Sequence, residues 1–181
     1  MVTGSGVPPP GTIPVVMPGD VLVVDAAGLA VWAGAVTVYP HGFAFTLRTL
    51  SDSRRIGPPP TPWALDVAER ERMTWLEVRY SDGRTRAADL NANTPPRQPQ
   101  GPHLRAMDAG GSDGCDISRW WVTPLPPPGP VDLAIHLNGD KTPTGVGRLD
   151  GAALLSAATR AQVIWLEPRE DRPGDAHGDQ E

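Results

Sequence analysis

RWWVTPLPPPGP (119–130) sets two adjacent tryptophans directly before a run dominated by proline. Consecutive residues of a β-strand point to opposite faces, so Trp120 and Trp121 in an extended segment meet different surroundings. One belongs in a hydrophobic interior, and the other needs a cover. The following PLPPPGP cannot form a central strand, because proline lacks a backbone donor and fixes φ. It is stiff and extended, which suits a crossing between two sheets. The motif therefore predicts a corner, with one indole between two layers and the other beneath the prolines. The fold class that follows is mainly β: an antiparallel two-sheet β-sandwich of about eight strands with one or two short helices.

The segments on either side carry the same period of two. DVLVVD (20–25) and LAVWAGAVTVY (29–39) precede FAFTLRTL (43–50), where Phe43, Phe45 and Leu47 share one face. The PHG link between the last two predicts a hairpin with Gly42 at positive φ. In WLEVRYSDGRTRAAD (75–89) the Asp82-Gly83 pair predicts a two-residue type I′ turn. That register puts Tyr80 opposite Thr85, Val78 opposite Ala87 and Arg79 opposite Arg86. Leu76, Val78 and Tyr80 then face inward, with Glu77, Arg79, Arg86 and Ala88 outward. HLRAM (103–107) and ISRWWV (117–122) read as strands around a glycine-rich tip, DAGGSDGCD (108–116). VDLAIHL (131–137) is a further strand. NGDKTPTG is a turn-rich link, Asp150 caps a short helix over 151–162, and VIWLE (163–167) is a last strand. TPWALDVAERER (61–72) carries a helix-start signal in Thr61 and Pro62.

Composition agrees with this picture. Glycine and proline together supply 20 + 22 = 42 of 181 residues, which favours short elements and turns over long helices. The length suits one domain over 15–168, with a flexible arm at 1–14 and a disordered acidic tail at 169–181. Net charge is −5, so nucleic acid and anionic membranes are not expected partners. Cys115 is the single cysteine, which leaves no internal disulfide framework. With no secretory n-region and no apolar stretch long enough to span a bilayer, a cytosolic setting is expected.

Few residues suggest chemistry. GGSDG (110–114) matches G-x-S-x-G with Ser112 as nucleophile, and Asp132 and His136 follow in hydrolase order. That motif requires a strand before the serine and a helix after it, whereas CDISRWWV reads as strand. Asp132 and His136, four apart on one strand, would also stand about 13 Å from each other. Asp108, Asp113 and Asp116 are weak calcium candidates, and a solvated loop explains them far better. His41, His103, His136 and Cys115 lack paired metal spacing. No cofactor is expected. The remaining candidates are binding residues: an outward tryptophan from Trp120 and Trp121, with Arg119, Arg79 or Trp63 nearby, suited to a carbohydrate ring or a partner's side chain.

VYPHGFAFTLRT (38–49), YSDGRTR (80–86) and RWWVTPLPPPGP, in that order, resemble a group of small β-sandwich proteins of high-GC, actinobacterial-type genomes. The resemblance covers residues 13 to 166 and departs from the group's pattern at 51–74. It implies a sandwich fold and a cytosolic setting, and it carries no established activity and no functional residue. The expected role is a non-enzymatic structural or protein-interaction module, binding a protein partner or a second copy of itself.

Overall fold

The computed structural model describes residues 7–52, 75–90, 101–112, 114–137 and 140–164. The expected helix at 61–72, Trp63 and the tail from 169 lie outside these residues. The described elements are β1 (Thr12–Ile13), β2 (Val15–Met17), β3 (Val21–Ala26), β4 (Leu29–Tyr39), β5 (Gly42–Ser51), β6 (Trp75–Tyr80) and β7 (Thr85–Asp89). They continue with β8 (His103–Ser112), β9 (Cys115–Thr123), β10 (Pro130–His136), β11 (Gly145–Asp150), α1 (Gly151–Ala158) and β12 (Gln162–Val163). All pairings are antiparallel. One sheet runs β2-β4-β5-β9-β8, with β3 beside β2 on the same edge of β4. The second runs β11-β10-β6-β7, and β1 pairs with β12 as a small ribbon. Mainly β architecture with two facing sheets and a short helix is as the alternation predicts. Among the described residues no helix is long and apolar enough to cross a membrane.

The inner faces of the two large sheets share one core. Phe43, Phe45, Leu47, Trp120 and Val122 come from the six-stranded sheet, and Leu76, Val78, Tyr80, Val131, Leu133 and Ile135 from the four-stranded sheet. Fully burying a side chain of this size contributes roughly 1.5–3 kcal/mol. Leu154 and Ala157 add one face of α1 to the core. Asp150 starts that helix as expected: its backbone is extended, and Oδ1 accepts from the N–H groups of Ala152 (2.9 Å) and Ala153 (3.3 Å). Asp150→Ala is expected to lower stability by about 1 kcal/mol, and Asp150→Ser to recover most of it, as chemical denaturation would show.

The proline crossing also forms. The chain leaves β9 at Thr123, passes through Pro124–Pro128 and enters β10 in the other sheet at Pro130. It is held to the four-stranded sheet, since Tyr80 Oη donates to the Pro124 carbonyl (2.6 Å) and Ser81 Oγ to that of Pro128 (3.0 Å). Burial pushes the Tyr80 hydroxyl well above the usual phenol range, so it stays a donor.

Several local expectations are corrected. Gly42 does not take positive φ. A Cβ there would strike the Val122 carbonyl oxygen and come within 2.7 Å of the Trp121 ring, so the glycine makes room for the indole. The 80–84 turn has three loop residues. Gly83 N–H donates to the Tyr80 carbonyl (3.0 Å), Tyr80 N–H to that of Arg84 (2.8 Å), and Gly83 has φ +87°. This is a type I turn followed by a glycine bulge. The register moves by one: Arg79 faces Thr85 and Val78 faces Arg86. Arg86 and Ala88, expected outside, are therefore buried, and the Arg79–Arg86 repulsion does not arise. The DAGGSDGCD segment is mostly ladder, pairing Ser112 with Cys115. The residues from Gly145, which closes the expected link, through the unassigned 146–149 to Asp150 form β11. Its glycines let β11 approach β3: an added Cβ at Gly147 would lie 2.7 Å from Val21 Cγ1 and 3.1 Å from the Leu22 carbonyl oxygen.

Candidate functional site

The adjacent tryptophans divide as alternation requires, and both are buried at 1% exposure. Trp120 lies in the inter-sheet core, and its Nε1–H donates to Ser118 Oγ (2.8 Å). Trp121 belongs to a separate cluster with Tyr39 and Ala44. The Tyr39 ring meets it edge-on, with centroids 5.4 Å apart. The aromatic neighbour comes from the end of β4. Neither indole is an open platform for a sugar ring. Arg119 stands on the outer face of the six-stranded sheet opposite Thr46, whereas Arg79 stands on the outer face of the other sheet. Arg119 therefore shares a face with Trp121, and Arg79 stands apart from both.

The structure assembles a different polar group around Arg79. Glu77 accepts from Thr85 Oγ1 (2.6 Å) and Arg79 Nη2 (3.1 Å), and its Oε2 lies 3.0 Å from His136 Nε2. His136 Nδ1 lies 3.0 Å from the Asp140 carbonyl oxygen, and Trp75 stacks on the ring at 5.0 Å. His136 is 3% exposed, so the group is an internal fastening that ties β6, β7 and β10 to the backbone at Asp140. Burial pushes the Glu77 carboxyl up, but the hydrogen bonds from Thr85, His136 and Arg79 outweigh it. Glu77 lies below the usual carboxylate range. Its contribution to stability is therefore complete above the ordinary glutamate value of about 4.3 and is lost as pH falls through the depressed one. Thermal unfolding between pH 6 and 2 should show this loss in the wild type. Glu77→Gln should be less stable near neutrality and should lack that part of the acid decline.

The Ser112 reading does not gain a strained elbow. Ser112 ends β8 and pairs across a hairpin with Cys115, with strand on both sides. Asp132 and His136 lie on β10 in the other sheet. Asp132 Oδ1 accepts from Arg148 Nε (2.7 Å), and His136 Nε2 faces Glu77. For the calcium candidates, Asp108 pairs opposite Arg119 on one face, while Asp116, in step with Trp120, belongs to the other. Asp113 lies outside the described residues. Among the described residues no group of three or more His, Cys, Asp or Glu could hold a metal.

The feature that sequence reasoning missed is the outer face of the six-stranded sheet. Cross-strand register places Leu22, Trp32, Arg48 and Ile117 in one row over four strands. Leu50 stands two residues from Arg48 on the same face, and Val16 stands opposite Thr37 further along it. Leu22 is 56% exposed, Leu50 51% and Ile117 44%. Alternation along each strand marks these side chains as a second apolar set, but only the strand order shows that they are contiguous. Compared with family models, curated proteins and solved structures, the chain matches none of them.

Proposed function

We propose that the protein is a non-enzymatic β-sandwich that acts as a structural or protein-interaction module in the cytosol. The observation that supports this is the row Leu22–Trp32–Arg48–Ile117, exposed apart from a half-buried Trp32, with exposed Leu50 beside it. Scattered exposed apolar residues need no explanation, whereas a contiguous set on one sheet face is a common mark of a contact surface. The separation of the Ser112, Asp132 and His136 positions, and the internal engagement of the last two, favours binding over acyl transfer. Burial of both neighbouring indoles counts against a carbohydrate site built on either of them.

Affinity capture from the native cell, with quantitative mass spectrometry, tests the reading. The control is a Leu22→Ser/Ile117→Ser variant, which alters the outer face and spares the core. A defined protein recovered by the wild type and lost by the variant is the expected result. Equal recovery with both baits, or none with either, would remove this face as the contact surface. Trp120→Ala/Trp121→Ala is unsuitable as a control, because both indoles support the fold.

A further inference from the structure

We infer that the proline crossing between β9 and β10 is itself a docking ridge, and that its partner is a protein groove lined with aromatic side chains. The ridge is separate from the outer face of the six-stranded sheet, so the inference goes beyond the interaction reading above and is tested apart from it. Each proline of Pro124–Pro128 fixes φ at roughly −65°. Leu125, Pro126 and Pro127 each precede a proline, which pushes ψ to extended values. Together these constraints give polyproline II, with about three residues per turn. Positions 124 and 127 then share one edge, 125 and 128 a second, and 126 lies on the third.

Burial divides the run along these edges. Pro126 is buried and Leu125 is half-buried against the core, whereas Pro124 and Pro128 are exposed and Pro127 is half-buried between them. The third edge thus faces the body, and the rings of Pro124, Pro127 and Pro128 make an accessible ridge. Both ends of the ridge are fixed. Tyr80 Oη holds the Pro124 carbonyl and Ser81 Oγ that of Pro128. Gly129, with φ +121°, then turns the chain into β10, and an added Cβ there would lie 2.8 Å from the Ser81 side chain. Gly151 N–H donates to the Gly129 carbonyl at 2.8 Å. A segment already held in one extended conformation loses little entropy on docking. Every residue from Pro124 to Pro128 except Leu125 lacks a backbone N–H, so the run offers ring faces and acceptors but no ladder for an added strand. It also carries no charged side chain from Pro124 to Pro130. Proline rings pack on indole and phenol faces, and an indole N–H or phenol O–H supplies the donor that the carbonyls need. A neutral groove of tryptophan and tyrosine matches this chemistry, whereas a basic or acidic patch does not.

The test is selection on the full chain of a display library built on a WW-type domain with its groove positions randomised. Enriched grooves are expected to carry two or more Trp or Tyr side chains. When a selected domain binds the wild type, the amide signals of Leu125 and Gly129, the N–H groups within the crossing, should shift. Those of Leu22 and Ile117, on the outer face, should not. This mapping does not depend on any variant folding. Affinity should fall about tenfold on Pro127→Ala/Pro128→Ala, which removes two rings of the ridge, and should be unchanged on Pro10→Ala in the other described proline run. Selection without enrichment, or enriched grooves that lack aromatic residues, would overturn the inference. So would selected domains that shift Leu22 and Ile117 instead, or that bind Pro127→Ala/Pro128→Ala as tightly as the wild type. In each of those cases the outer face remains to be judged by the capture experiment.

Discussion

Trp120→Ala is expected to cost about 3–5 kcal/mol, a large share of the stability of a domain of this size. The indole is 1% exposed between the two sheets, and its Nε1–H is bonded to Ser118 Oγ at 2.8 Å. Removing it leaves a cavity that strands on both sides cannot collapse to fill, and it leaves the half-buried Ser118 hydroxyl without its donor. Trp120→Phe retains most of the apolar volume and should cost less. Trp121→Ala is a useful comparison, because its buried neighbours are Tyr39 and Ala44, a satellite of the core. It should destabilise less than Trp120→Ala. Urea denaturation of the three variants gives the ordering, and an equal cost for both alanine variants would contradict the division of the pair.

Gly145→Ala has the second largest expected effect, about 2–3 kcal/mol, through overpacking at the edge of the sandwich. A Cβ at this position would strike the Val23 carbonyl oxygen and stand 2.9 Å from Val24 Cγ2. A backbone oxygen cannot rotate aside, so β11 would have to move away from β3 and carry its neighbour β10 with it. Gly110→Ala is the matched control. Nothing lies within 4 Å of its added Cβ, and its effect should stay within about 0.5 kcal/mol. Melting temperatures of the two variants separate close approach from a general intolerance of alanine for glycine.

Much of the fold was legible because burial on one face imposes a period of two. FAFTLRTL places Phe43, Phe45 and Leu47 inward, and the adjacent tryptophans divide between two clusters. The helix start was legible because an acid at the cap has a specific bonding task, which Asp150 performs. The 80–84 register was not, since Asp-Gly suits both a two-residue turn and a three-residue turn with a glycine bulge. The bond from Arg84 N–H to Asp82 Oδ1 (3.1 Å) favours the second. One residue of slip changed the faces of Arg86 and Ala88. β11 was missed because glycine reads as a turn, while here it answers the closeness of a facing strand. The apolar row on the outer face was hidden for another reason. Its members come from β3, β4, β5 and β9, and no periodicity along a single segment tells which strands lie side by side.

The division of the tryptophan pair underlies both the sandwich and the reading of its outer face, and nuclear Overhauser contacts from the two assigned indoles measure it. The Trp120 ring should show contacts to methyl groups of the four-stranded sheet, among them Val78, Leu133 and Ile135, which share its core. The Trp121 ring should show contacts to Tyr39 and Ala44 instead. Contacts from both indoles to one common set of methyl groups, or from Trp120 to Tyr39, would contradict the two-layer arrangement.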